Sequence, residues 1–141
     1  MRALLSPLFA LLLALPAFAA ATDADEYAAR RAELMRRIGP DAMLILRSPA
    51  AQVRNGDVDW PFRQEDSLLY LTGLDNPDTT LVLVPGEDTH REIVFTLDSD
   101  PAAELWTGRI PSVEEVSKRS GVTEVVSETR FEDFVRAAME G

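Results

Sequence analysis

The chain has 141 residues, of which 46% are hydrophobic and 27% are charged, and its formal net charge is −10. These values fit one globular domain and exclude a disordered or fibrous protein. An acidic chain without a basic stripe repels phosphate backbones, which also excludes nucleic-acid binding. Because the sequence contains no cysteine, it offers neither a disulfide nor a thiolate site.

The first 19 residues predict a cleavable export signal. A short positively charged start precedes a leucine-rich apolar run over residues 3–18. Ala-Phe-Ala at positions 17–19 then places small residues at the two positions that a signal peptidase recognises. The alternative is a transmembrane anchor, but a spanning helix needs about 18 to 20 apolar residues, and two prolines interrupt this run. We therefore expect an exported protein, periplasmic or secreted, without a stable membrane anchor and with a mature domain over residues 20–141.

Helical and extended patterns alternate after that segment. Asp23 and Glu26 have the spacing of a capping box, which predicts the start of an amphipathic helix. Its apolar face is expected to consist of Tyr27, Leu34, Met35 and Ile38, and its arginines, mostly facing water, are Arg30, Arg31, Arg36 and Arg37. Short apolar runs then predict strands at residues 42–46 and 68–71.

Leu81 to Val84 has no polar alternation, which predicts a central strand covered on both faces. Residues 92–96 should form its neighbour, across a turn that contains Pro85 and Gly86. A capping box at residues 112–115 then predicts a short helix that Gly121 ends, followed by a strand over residues 122–126.

The last segment predicts an amphipathic helix whose apolar face needs a packing partner. Thr129 and Glu132 repeat the capping pattern at its start. Its apolar residues, spaced as on one helical face, are Phe131, Phe134, Val135, Ala138 and Met139.

The sequence does not assemble a reaction centre. A catalytic metal site needs several converging ligands, yet the only histidine is His90, which the pattern places in a polar loop between two strands. Paired acids in an acidic protein are interpreted as solvated turn residues. These pairs are Asp57 with Asp59, Glu65 with Asp66, and Asp75 with Asp78. No serine-nucleophile elbow, phosphate-cradling loop or dinucleotide fingerprint occurs, so we expect this chain to bind no cofactor.

Three motifs nevertheless point to a known family: F-R-Q at residues 62–64, Y-L-T-G at 70–73 and E-L-W-T-G-R at 104–109. Their order resembles the amino-terminal domain of the Xaa-Pro aminopeptidases (aminopeptidase P), in the creatinase and prolidase superfamily. The resemblance implies an α/β fold with a mixed β-sheet flanked by helices. It also implies that the catalytic domain, which uses two Mn²⁺ ions to remove the residue before proline, is absent from this chain.

The resemblance implies a role for Trp106, which in the family can project toward an active-site mouth, often that of a neighbouring subunit. The alternative is core packing beside Leu105, since a buried Trp contributes a large apolar area. The remaining motif residues are expected to be structural, with Arg63 bridging loops or pairing with a buried carboxylate and the two glycines adopting unusual backbone angles. These structural motif residues are Arg63, Gln64, Gly73, Gly108 and Arg109.

Two departures from the family pattern weaken inferences about the substrate pocket and subunit contacts. Ile110 stands where a second Arg is common, and Ser67 with Leu68 and Leu69 replaces an acidic or amide residue followed by aromatics. Three functional hypotheses remain. The first is the non-catalytic domain of an exported Xaa-Pro aminopeptidase, which is homo-oligomeric when complete and acts on peptides with proline second. The others are a stand-alone periplasmic binding module and an independent hydrolase that uses its carboxylates.

Overall fold

The computed structural model describes residues 22–49, 52–56, 58–86, 91–100, 102, 104 and 108–140 of the chain. The helices in these ranges are α1 (Asp23–Ile38), α2 (Asp66–Thr72), α3 (Val113–Ser120) and α4 (Phe131–Glu140). The strands are β1 (Leu44–Arg47), β2 (Val53–Asn55), β3 (Val58–Asp59), β4 (Thr80–Val84), β5 (Arg91–Thr96) and β6 (Glu124–Ser127).

A mixed sheet in the order β1-β4-β5-β6 lies at the centre of the described structure. β4 pairs antiparallel with β1 and β5, whereas β5 and β6 are parallel. The α/β fold expected from the resemblance is therefore confirmed. The predicted central strand at Leu81–Val84 is also confirmed, because β4 lies between two neighbours and Leu81, Val82 and Leu83 are fully buried.

Helices cover the two faces of this sheet unequally. The larger core lies between one face and helices α1, α2 and α3. Its buried residues are Met35, Leu68, Leu71, Leu74, Leu81, Leu83, Val94, Val116 and Val122. The smaller core lies on the other face, where Phe95 contacts Phe131 and Phe134 of α4 with ring centroids 5.3 and 5.5 Å apart. The last amphipathic helix was expected to need a packing partner, and in the structure it packs against the sheet face that contains Phe95.

Helix caps confirm one prediction and correct two others. The box of Ser112 and Glu115 caps α3 as expected. At α1, however, Thr22 and Asp25 exchange the reciprocal bonds, so the predicted box one residue later is wrong. Before α4, Ser127 caps a 3₁₀ turn (Glu128–Arg130) that leads directly into the helix at Phe131, and the predicted cap at Thr129 is therefore wrong.

The strand predicted over residues 68–71 is a helix instead. Glu65 caps α2 by accepting a hydrogen bond from the Leu68 backbone at 2.8 Å, and Gly73 ends the helix in the left-handed conformation. Leu68 and Leu71 then fall on the same helical face and bury it against the core. A four-residue apolar run has the same appearance in a strand and in one helical turn, which explains the error.

Arg31 corrects the expectation that the α1 arginines mostly face water. Its side chain is completely buried, while Arg36 and Arg37 are 70% exposed. Its Nη1 donates to the carbonyls of Leu71, at 2.7 Å, and Ser120, at 2.9 Å, and its Nε donates to Glu92 at 2.9 Å. Arg31 thereby joins α1 to the carboxyl ends of α2 and α3 and to β5.

Candidate functional site

The F-R-Q motif connects the loop before α2 to the loop before β4. The Gln64 side chain is nearly buried, donates to the Asn76 carbonyl at 3.0 Å and accepts from the Glu65 backbone at 2.9 Å. Asn76 in turn donates to the hydroxyls of Thr79, at 2.6 Å, and Thr96, at 3.3 Å. Gln64 therefore belongs to a hydrogen-bond network that connects the loop before α2 with the start of β4 and the end of β5.

Arg63 is placed differently from the prediction. Its side chain is 83% exposed and pairs with Asp66, itself 80% exposed, at 3.2 Å. The expected pairing with a buried carboxylate is therefore wrong, because the loop directs Arg63 away from the core. Glu65 is not half of an acid pair with Asp66 either, since hydrogen bonds from the backbone of Ser67 and Leu68 lower the pKa of Glu65 and hold it as a helix cap.

Gly73 closes the Y-L-T-G motif in a backbone conformation that favours glycine. Its φ is +67°, and a Cβ atom at this position would lie 2.4 Å from the Tyr27 ring. The Tyr27 ring of α1 therefore occupies the space that any other residue would need. Both the unusual backbone angle and the close approach support the expectation for Gly73, and Gly108 also has a positive φ, of +83°.

The third motif is described only at its ends. The Glu104 carbonyl accepts from the Gly108 backbone at 3.1 Å, and Arg109 pairs with Glu115, the capping residue of α3. The bond from Arg109 lowers the pKa of Glu115 and keeps it ionised, and the structural role expected for Arg109 stays a prediction. Trp106, the one residue with an expected role in substrate access, lies outside the described residues.

The other candidate acids do not converge. Asp75 pairs with Arg119 at 2.9 Å on the surface, and Asp78 occupies a positive-φ turn. His90 and the side chains of Asp57 and Asp59 lie outside the described residues. In the part of the chain that the structure describes, no three His, Cys, Asp or Glu side chains are grouped so that they could hold a metal ion.

An open groove of about 960 Å³ lies between α1 and α2. Four of its charged side chains form two pairs: Arg30 with Glu26, and Arg37 with Glu33, whose pKa is lowered to about 2 chiefly by its hydrogen bonds from Arg36 and Arg37. The residues that line this groove do not form a catalytic site, and the groove is the surface cleft where α1 and α2 pack together.

Sequence patterns missed two arginines that organise this region. The Arg30 guanidinium donates to the backbone carbonyl of Tyr70 at 2.8 Å, and it lies 4.1 Å from the centroid of the Tyr70 ring. Arg31, the buried connector, follows Tyr27 by four residues and precedes Met35 by four. This spacing places it on the apolar face of α1, and it was the signal that could have identified a buried arginine.

The family model described as Aminopeptidase P, N-terminal domain matches residues 27–141. Among curated proteins, an Xaa-Pro aminopeptidase of Haemophilus influenzae is 33% identical over 115 residues, which cover 82% of this chain and 27% of that protein. Human Xaa-Pro aminopeptidase 3 is 32% identical, with 78% of this chain and 24% of that protein covered. The chain thus spans about a quarter of the length of the curated relatives it matches.

Solved structures show the same fold. Proline aminopeptidase P II from Yersinia pestis has a TM-score of 0.71 and 26% identity, over 80% of this chain and 26% of that one. Aminopeptidase P from Escherichia coli has a TM-score of 0.72 and 24% identity, again over 80% of this chain and 26% of that one. Within the described residues, no helix is long and apolar enough to cross a bilayer.

Proposed function

We propose, from the premise that this chain belongs to the aminopeptidase P N-terminal domain family, that it is the non-catalytic domain of an exported Xaa-Pro aminopeptidase. The complete enzyme would be Mn²⁺-dependent and would remove an amino-terminal residue that precedes proline. The family match over residues 27–141 is the observation that carries the proposal. The similar proteins of Haemophilus influenzae and human are Xaa-Pro aminopeptidases, which supports the substrate class.

The Mn²⁺ ions belong to the proposed catalytic domain and not to this chain. The described residues provide no group of three or more potential ligands; of the acids that sequence patterns suggested, Glu65 caps α2 and Asp75 forms a surface pair. When bound, such ions would supply an activated hydroxide. The residues of this chain would instead build a rigid platform beside the site.

The domain would shape the access of the substrate to the active site and would form contacts between subunits. The described ends of the third motif are anchored, because Glu104 and Gly108 are joined by a backbone bond and Arg109 is paired to α3. A segment held at both ends can present a side chain to a neighbouring cleft at low entropic cost. We assign that presenting role to Trp106, in a homo-oligomeric full-length enzyme.

The first experiment compares the purified chain with the same chain joined to the catalytic domain of an Xaa-Pro aminopeptidase. The chain alone should release no amino acid from an Xaa-Pro peptide, and the joined protein should do so. In the joined protein, Trp106→Ala should lower kcat/KM by about tenfold, equivalent to about 1.4 kcal/mol, because it removes a contact made with the bound peptide.

The denaturant midpoint of Trp106→Ala separates access from packing. A core Trp would cost about 3 to 5 kcal/mol of stability when truncated, whereas a side chain that lines a cleft should leave the midpoint near that of the parent. A large loss of stability with unchanged cleavage per folded molecule would assign Trp106 to packing. Metal-dependent turnover by the chain alone would instead favour the independent hydrolase.

Export is proposed from the amino-terminal pattern and is tested separately. Mass spectrometry of protein recovered from the cell envelope should find an amino terminus close to Ala20, because a signal peptidase cleaves after small residues. A truncated control that begins at Ala20 should remain in the cytoplasmic fraction. Recovery of the secreted protein with Met1 intact would contradict cleavage.

A further inference from the structure

The loop between β5 and α3 contains the third motif, and its two ends lie close together. The Ser99 hydroxyl, just after β5, donates to Glu104 Oε1 at 2.9 Å. The Ile110 backbone N–H, just before the α3 cap at Ser112, donates to the same oxygen at 3.3 Å. Because both donors reach one oxygen atom, residues 99 and 110 are neighbours in space although residues 100–109 lie between them. Surface loops whose ends meet in this way frequently carry function.

Backbone hydrogen bonds place Glu104 between two turns of this loop. The Glu104 N–H donates to the Asp100 carbonyl at 2.9 Å, and the Gly108 N–H donates to the Glu104 carbonyl at 3.1 Å. One turn therefore precedes Glu104, and a second turn, which spans Trp106 in the chain, follows it. The Glu104 side chain is half-buried, which strengthens its hydrogen bonds relative to those of a fully exposed carboxylate.

The Glu104 carboxylate thus connects the second turn to both ends of the loop. A carboxylate oxygen is a stronger acceptor than a neutral carbonyl, so one atom can hold both donors. The end at Ile110 is fixed to the domain in turn, because Arg109 pairs with Glu115 of α3. We call the set of Ser99, Glu104 and Ile110 the Glu104 bridge.

We propose that Glu104 is a positioning residue, whose carboxylate joins residue 99 to residue 110 and so fixes the direction in which the turn of residues 104–108 extends from the domain. The inference rests on the proposed function, because the side chain that the turn would present to a peptide is Trp106. A side chain on a fixed turn meets its ligand without the entropic cost of ordering a loop. Loss of the bridge therefore weakens the action of Trp106 without removing any of its atoms.

Trypsin digestion of the purified chain tests the bridge without a catalytic assay. Trypsin cleaves after Arg109, and the backbone at Ile110 must leave Glu104 before it can enter the protease. Cleavage after Arg63, which is 83% exposed in another loop, is the internal reference. In Glu104→Ala, cleavage after Arg109 relative to Arg63 should be about tenfold faster, because hydrogen bonds to an ionised acceptor shift a local equilibrium by this order.

Three further variants separate the acceptor from its charge and from general effects. Glu104→Gln keeps an acceptor oxygen and should be digested like the parent. Ser99→Ala removes one of the two hydrogen bonds and should give an intermediate rate. Glu132→Ala is the matched control, because it removes a carboxylate from an exposed position on α4 and should leave the rate unchanged.

A parent-like rate after Arg109 in Glu104→Ala would overturn the bridge. So would fast digestion of Glu104→Gln, because the retained acceptor should preserve both hydrogen bonds. If Glu104→Ala does not fold, a parent-like rate in Ser99→Ala would likewise overturn it.

The positioning role is measured in the protein joined to the catalytic domain. Glu104→Ala should lower kcat/KM by several-fold, and adding it to Trp106→Ala should cause no further loss, because both substitutions act through the same contact. Unchanged kcat/KM in Glu104→Ala, with a loss in Trp106→Ala, would overturn the positioning role and leave the proposed function standing. If Trp106→Ala itself has no effect, the proposed function fails and the role in access fails with it, while the trypsin rates still show whether the bridge exists.

Discussion

Replacing Arg31 with methionine is expected to lower the free energy of unfolding by about 2 to 4 kcal/mol. The substitution leaves the carbonyls of Leu71 and Ser120 without their shared donor and removes the cation that pairs with Glu92. These carbonyls belong to the last turns of α2 and α3, where helices have unsatisfied acceptors and a partial negative charge. Urea unfolding followed by circular dichroism measures the loss.

The matched control for Arg31→Met is Arg36→Met on the same helix. Arg36 is 70% exposed and pairs with Glu33 at the surface, so its removal should leave the denaturant midpoint close to that of the parent. Adding Glu92→Leu to Arg31→Met should recover only part of the lost stability, because the two carbonyls stay unpaired. A midpoint for Arg31→Met that matches Arg36→Met would show that the buried network contributes nothing.

The second large effect is expected at Gly73, where alanine should lower the free energy of unfolding by about 2 to 3 kcal/mol. About 1 kcal/mol of this arises from placing a Cβ atom on a residue with positive φ. The remainder arises from the Tyr27 ring, which lies 2.4 Å from the position of the new atom and must move. Thermal or urea unfolding of the purified variant measures the sum.

Gly121→Ala provides the comparison for the backbone term. Gly121 follows α3 as Gly73 follows α2, with nearly the same φ, of +75°, but its nearest contact to a new Cβ atom is longer, at 3.1 Å. Gly73→Ala should therefore be the more destabilising of the two. In a Tyr27→Ala background, the steric part of the Gly73→Ala effect should disappear. Equal effects of Gly73→Ala with and without the Tyr27 ring would contradict the proposed clash.

Local patterns predicted the elements whose signals are complete within a few residues. The reciprocal box of Ser112 and Glu115, with Gly121 at the other end, defines α3 without reference to the rest of the molecule. An uninterrupted apolar run likewise identified β4 as central, because a strand buried on both faces has no need for polar alternation. The motif order identified the family, and the family match and the fold confirm that identification.

The errors occurred where one pattern fits two structures. Residues 68–71 resemble a buried strand, and only packing of Leu68 and Leu71 against the common core determines that they form a helix. At α4, Thr129 and Glu132 match a capping box, but Ser127 makes the cap earlier because a 3₁₀ turn precedes the helix. Caps shifted by one or two residues fit the sequence almost equally well, and the path of the neighbouring strand decides between them.

The sequence by itself therefore determined the family, the central strand and the amphipathic helices, since these depend on local spacing and composition. Only the tertiary structure decided that Arg31 is buried, because its partners Leu71, Glu92 and Ser120 lie 40, 61 and 89 residues away in the chain. The same holds for the pairing of Glu128 with Arg47, across 81 residues. A charged residue is buried only where acceptors converge, and that convergence is created by packing helices and strands that are distant in the chain.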